Sequence, residues 1–203
     1  MSTEVDTRTQ IMDAFSDQLA ATGYPGISLV GVARTAGIAK PSIYHHFPEG
    51  KEALYSAVAI RYIDNLHNKL PLTGANEVPI EARLVALATA SSEHGGAAIS
   101  FEQRIYDALD HVNPATKDRV SGLYVSAILD PVVSLFAHAV DKGEIVGDPQ
   151  FLMNAFLHLV RATDIATEPD SAKKLVALFL NGARPPQYPR ADEGNSPYQP
   201  TVD

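Results

Sequence analysis

An all-α fold is what this sequence predicts, and three observations predict it. Apolar residues recur at three- and four-residue intervals almost from end to end. β-branched residues fall at helical rather than alternating positions, so no segment reads as a strand. Glycine and proline arrive as punctuation between these segments, at spacings that leave about nine helices.

Taken in order, the first helix covers residues 7–21, where Ile11, Phe15 and Leu19 recur every four residues along one face. "TGYPGIS" ends it. Ser28 stands in an N-cap position before Leu29 and opens a short helix that stops near Gly37. A second short helix covers 40–47, with Pro41 in its first turn, where the missing N–H does no harm. Pro48 and Gly50 punctuate again, and a longer helix over 51–70 carries Leu54, Val58, Tyr62 and Leu66. Further helices are expected at 79–93, 97–112 and 115–142, the last kinked or divided by Pro131. A final pair covers 149–166 and 171–181. After Gly182 the composition changes: "ARPPQYPRADEGNSPYQPTVD" holds five of the fourteen prolines and almost no aliphatic residues. That predicts an extended, largely disordered tail, with a Pro-rich partner segment as the alternative to a plain solvated terminus.

At 203 residues and 45% hydrophobic composition, the chain can bury a core of ordinary size. It has no cysteine, which excludes disulfides, thiol nucleophiles and thiolate metal sites. The start "MSTEVDTRTQ" lacks the basic residues and apolar run of a signal peptide. No uninterrupted apolar run approaches the ~20 residues of a membrane helix, so a cytoplasmic protein with no membrane partner is expected. The formal net charge of -8 argues against a protein that coats nucleic acid through electrostatics alone. A small basic patch on an acidic body remains compatible with it.

Residues 29–47 supply such a patch. Ala33 and Gly37 suit two short helices crossing steeply, and Val32, Ile38 and Ile43 plug the second into a core. With Ile43 and Phe47 inward, Lys40, Ser42, Tyr44, His45 and His46 point outward or sideways. Such side chains can hydrogen-bond base edges and phosphates in a major groove. Lys51 and Ser28 each stand at a helix start, where side chain and free backbone N–H groups can grip a phosphate. Within residues 1–60 the basic residues are Arg8, Arg34, Lys40 and Lys51, and three of them frame this unit.

The block "ISLVGVARTAGIAKPSIYHHFPEGKEALYSAV" resembles the DNA-binding domain of TetR-family transcriptional repressors, with the similarity running over about residues 7–62. The aromatic turn "IYHHFPEGKEAL" is its most specific part, although it carries one residue more than the commonest form. The resemblance implies a homodimer, a three-helix head over residues 1–50, a ligand-binding and dimerisation domain over 51–182, and a tail over 183–203. Its implied partners are double-stranded operator DNA and a small-molecule effector, with no cofactor. Carried over by position, Lys40, Pro41, Ser42, Tyr44 and His45 fall on the recognition helix. His46 and Lys51 match the phosphate-contacting turn, and Ser28 a contact at the second helix. For Tyr44 and His46 the alternative is packing against a neighbouring helix, and for Lys40 and Ser42 plain solvent exposure.

The C-terminal region is similar to that family only in general form. Val133, Phe136 and Val140 make one apolar stripe and Phe151, Ala155, Leu159 and Ala162 another, which together are expected to dimerise or else to pack within one chain. A pocket is expected among residues 54–136, lined by Tyr62, Leu66, Leu87, Phe101, Tyr106, Tyr124 and Ile128, with Ser91, His94, Gln103 or Arg104 as polar anchors. Asp107, Asp110 and His111, and likewise His158, Arg161 and Asp164, lie at helical spacing. With no supporting motif they read as solvated faces rather than as a catalytic or metal site, so an enzyme is not expected. The alternative to a regulator is a helical small-molecule sensor that has lost DNA reading.

Overall fold

The computed structural model describes residues 6–70, 78–92, 95–163 and 170–184. The helices, in order, are α1 (Thr7–Gly26), α2 (Leu29–Thr35), α3 (Lys40–His46), α4 (Lys51–Lys69), α5 (Ile80–Ser92), α6 (Gly95–Ala108), α7 (Pro114–Tyr124), α8 (Asp130–Asp141), α9 (Pro149–Thr163) and α10 (Ser171–Ala183). A π-helical turn, Val125–Leu129, joins α7 to α8. With that continuous rod counted as one, the described residues form nine helices and no strand. The expected tail falls outside them except for Ala183 and Arg184.

Each break has a local cause. Gly23 interrupts α1 with φ 67° and ψ 168°, so the helix proper stops where "TGYPG" predicts, and the Tyr24–Gly26 turn leads on to α2. Ser28 caps α2, its Oγ accepting the Gly31 N–H at 3.0 Å. Gly37 takes φ 68° between α2 and α3. Gly50 takes φ 68° and ψ -128° at the start of α4, a conformation open essentially to glycine, and a Cβ there would stand 3.3 Å from the Tyr44 ring.

Pro131 divides the last rod by a π turn. Its missing N–H leaves the Ala127 carbonyl, four residues earlier, without an α-helical donor. His67 Nδ1, on the last turn of α4, lies 2.8 Å from that oxygen, and the tautomer carrying the proton on Nδ1 donates to it. Length and apolar composition would let the rod 114–141 cross a membrane. Instead it packs on α4 and α9 and contributes to both cores.

There are two cores. The first joins α1–α4 to Ile105 and Ala108 of α6, Val120 of α7 and Ile128 of the π turn, around the fully enclosed Phe15, Ile43, Leu54 and Tyr55. It runs without interruption across residue 50. The second joins α5, α8, α9 and α10 around Phe136, Phe156 and Phe179, whose ring centroids lie 5.3–6.0 Å apart in tilted and edge-on pairs. Arg83 of α5 is buried in this half, its Nη2 3.2 Å from Glu144 Oε2, which also accepts the Ile80 N–H at 2.9 Å.

Two of the expected site residues sit in the second core. Phe136 is fully enclosed within its own chain and so has no surface to give a partner copy, while Val133 and Val140 pack half-buried against the same core. Leu87 also sits in the second core, apart from the tyrosines with which it was grouped. In both cases an apolar helical stripe fills an intrachain core, which spacing alone does not distinguish from an interface or a pocket.

Candidate nucleic-acid interface and sensor site

The seven residues of α3 divide cleanly. Ile43 is fully buried and Phe47, just beyond, nearly so, which anchors the helix on α1 and α2. Lys40, Pro41, Tyr44 and His45 are exposed, while Ser42 and His46 are half-buried. Tyr44 keeps 44% of its surface in solvent despite its contact with Gly50, and the His45 and His46 rings meet edge-on at 5.3 Å. Thus one short helix presents an ammonium, a hydroxyl, a phenol and two imidazoles from a rigid base. Ser28, exposed at the opening of α2, uses one lone pair on its cap and keeps its hydroxyl proton for another acceptor.

Lys51 is placed differently from a simple surface cation. Its Nζ stands 4.3 Å above the Tyr24 ring, and burial lowers its pKa from the ordinary lysine value. Tyr24 also meets Tyr55 edge-on at 5.4 Å and stacks near-parallel with His111 at 6.4 Å. Arg8 of α1 lies 5.1 Å over the Phe47 ring. Sequence reasoning missed both aromatic seats, because they join residues from separate helices with no shared spacing.

α4 is tied to the helices that follow at three heights. At its start, Glu52 Oε1 accepts the Asn113 N–H at 2.8 Å, while Asn113 Oδ1 caps α7. In its middle, the buried Tyr55 hydroxyl donates to the Ile105 carbonyl of α6 at 2.8 Å, and burial raises that phenol's pKa. At its end is the His67–Ala127 contact. These three contacts link α4, which begins beside the α3 residues, to α6, α7 and the π turn.

Of the expected pocket residues, Tyr62, Tyr106 and Tyr124 converge around a cavity of only ≈ 10 Å³. Phe101 meets Tyr62 edge-on at 5.6 Å, and Leu66 and Ile128 border the same core. Gln103 faces outward and donates to Asp107 at 2.8 Å. His94 lies outside the described residues, as do the side chains of Ser91 and Ala162. Of the expected interface residues, Phe151 is 69% exposed, and Ala155 and Leu159 are half-buried on the same helix. Leu178 of α10, 66% exposed, belongs with them by exposure and went unnoticed in the sequence.

The acidic and histidine groups have other partners. Asp110 pairs with Lys117 at 3.1 Å, and His111 is against Tyr24. His158 is exposed; the Arg161 side chain and Asp164 fall outside the described residues. Among the described residues, no three His, Asp or Glu side chains gather as a metal site.

Residues 11–58 match the family of bacterial regulatory proteins, tetR family. The chain is 30% identical over 105 residues to the HTH-type transcriptional repressor KstR2 of Rhodococcus jostii, covering 52% of this chain and 51% of that one. It is 38% identical over 61 residues to the HTH-type transcriptional activator FasR of Mycolicibacterium smegmatis, covering 30% and 27%. The chain thus spans about half the length of the first of these curated relatives and about a quarter of the second. In fold it is similar to a TetR-family regulator structure from Vibrio parahaemolyticus, with TM-score 0.71 at 20% identity over 88% of this chain and 98% of the other. It is also similar to AibR, solved with isovaleryl coenzyme A and operator DNA, with TM-score 0.66 at 19% identity over 89% and 100%.

Proposed function

Because the chain belongs to the tetR family of bacterial regulatory proteins, we propose that it is a DNA-binding transcriptional regulator that acts as a homodimer and answers to a small molecule. The observation that carries this reading is α3. It buries Ile43 and Phe47 and turns Lys40, Ser42, Tyr44, His45 and His46 outward, inside the segment that matches the family. α3 enters the major groove, with Ser28 and Lys51 at its flanks. Few cations face the DNA, so one head binds weakly and two heads on a palindrome reach useful affinity. Repression is the favoured sign, since the longer match is to a repressor. No chemical step is assigned, and a protein working on operator DNA belongs in the cytoplasm.

The head covers residues 1–50 and the effector and dimerisation part 51–182, with the first core shared between them. Regulation is a population shift. An effector preferring the form whose heads do not match successive grooves lowers DNA affinity by the ratio of its affinities for the two forms. α4, held at three heights by α6, α7 and the π turn, is the lever. AibR was solved with an acyl coenzyme A and DNA together, which supports an effector site coupled to a reading head in this fold.

The test is binding of the purified protein to its own upstream DNA across a salt series, beside Tyr44→Ala and Lys51→Ala. Saturable binding that falls steeply with salt and drops roughly tenfold or more in Tyr44→Ala is expected. Affinity equal to that for random DNA, unchanged in both variants, would favour a sensor without DNA reading.

A further inference from the structure

Resting on the DNA-binding reading, we propose that Arg8 of α1 is a further contact of the head with the DNA backbone, held ready for a phosphate by the Phe47 ring. Its guanidinium carbon lies 5.1 Å from the centroid of that ring, and Nη1 reaches Met12 Sδ at 3.9 Å. A ring face and a thioether are weak acceptors. They fix the side chain but leave its charge, and most of its five N–H donors, uncommitted. Arg8 is exposed, and among the described residues it pairs with no carboxylate.

Two observations put this cation beside α3. Phe47 directly follows His46 at the end of that helix and is nearly buried, so the ring that seats Arg8 also anchors α3. Arg8 and His46 also line one open groove of ≈ 740 Å³ between α1, α4 and α7. Lys51 has a separate seat over Tyr24, and neither of those residues lines that groove. The head therefore holds two cations on aromatic rings, in two places around one short helix. A recognition helix in the major groove runs between two phosphate strands, so separate anchors fix its position better than one.

The other charges on that groove do not take this role. Arg61 lines it but holds Asp13 at 2.7 Å. Glu52 accepts the Asn113 N–H, and Asp64 stands about three turns further along α4. Glu49 is exposed in the turn after α3 and forms no ion pair with Arg8. Arg119 reaches the groove from α7 and is exposed, but no aromatic ring among the described residues seats it. Arg119 is thus a cation of the same groove without the seat, and it serves as the control.

The experiment measures the affinity of the full chain across a salt series, on its own upstream DNA and on a random-sequence duplex of equal length. Parent, Arg8→Gln and Arg119→Gln are compared, with melting of each as a check on folding. Each phosphate neutralised adds about 0.9 to the slope of log affinity against log salt, so losing Arg8 from both copies of a dimer should lower it by about 1.8. Affinity should fall roughly tenfold on both duplexes alike, because a backbone contact carries no sequence information. Arg119→Gln should leave slope and affinity as in the parent. A slope unchanged in an Arg8→Gln variant that melts like the parent, or an equal fall in Arg119→Gln, would overturn the proposal while leaving the regulator reading in place. A parent with no saturable, salt-dependent binding to either duplex removes the regulator reading, and this contact with it.

Discussion

The reading head and the helices behind it use the same helical periodicity, yet they keep their polar groups in opposite places. From α1 to α3 the core is apolar and the hydrogen-bonding side chains of α3 face outward. Behind α4 the polar groups turn inward: Arg83 with Glu144, and Tyr106 and Tyr124 with Glu102. A rigid head with an outward polar face suits reading a surface. Buried polar contacts have few alternative partners, so they define two or a few arrangements and suit switching.

That contrast can be broken most severely at Glu144. Glu144→Ala strands the Arg83 guanidinium in a site where Nε and Nη1 already lack acceptors among the described residues. A loss of about 3 kcal/mol in stability is expected, read by denaturant or thermal melting, while Arg83→Met with Glu144→Gln should recover part of it. A cost below about 1 kcal/mol would mean that the buried pair is not what holds α5 to the α8–α9 turn.

In the head, Gly50→Ala should cost about 2 kcal/mol, from φ 68° and the close approach to Tyr44. It should also weaken DNA binding, because Tyr44 must move, so melting and affinity change together. Tyr44→Ala, by contrast, should lower affinity with little change in melting.

The smallest effect is expected where the two regions join. His67→Ala should cost about 1 kcal/mol or less, because the Ala127 carbonyl regains water at this exposed site. Its sharper readout is faster amide exchange in the π turn. Pro131→Ala restores an N–H for that carbonyl, so His67→Ala made in that background should be nearly silent, and a full effect there would sever the link between Pro131 and His67.

The head was legible because its residues are tied to local geometry. Ser28 before Leu29 gives the cap, Gly37 the turn and Pro41 the first turn of α3, and each works within a few residues. The rear half was legible only as helices. Phe136 and Phe151 both sit on apolar stripes, but one is enclosed and the other 69% exposed, and only the packing of α8 on α9 decides which. Leu87 was grouped with the tyrosines by apolarity, whereas α5 carries it into the other core. The contacts of Lys51 with Tyr24 and of His67 with Ala127 span 27 and 60 residues, and no periodicity encodes them.

The central claim is that α3 reads DNA as one of a symmetric pair. Selection from a random-sequence duplex pool, with wild type and Tyr44→Ala in parallel, tests it without knowing the natural operator. A palindromic motif enriched by wild type, with half-sites about one helical turn (~34–36 Å) or a multiple apart, and depleted in Tyr44→Ala, is the expected result. A folded protein that enriches no motif, or enriches the same one without Tyr44, would contradict it.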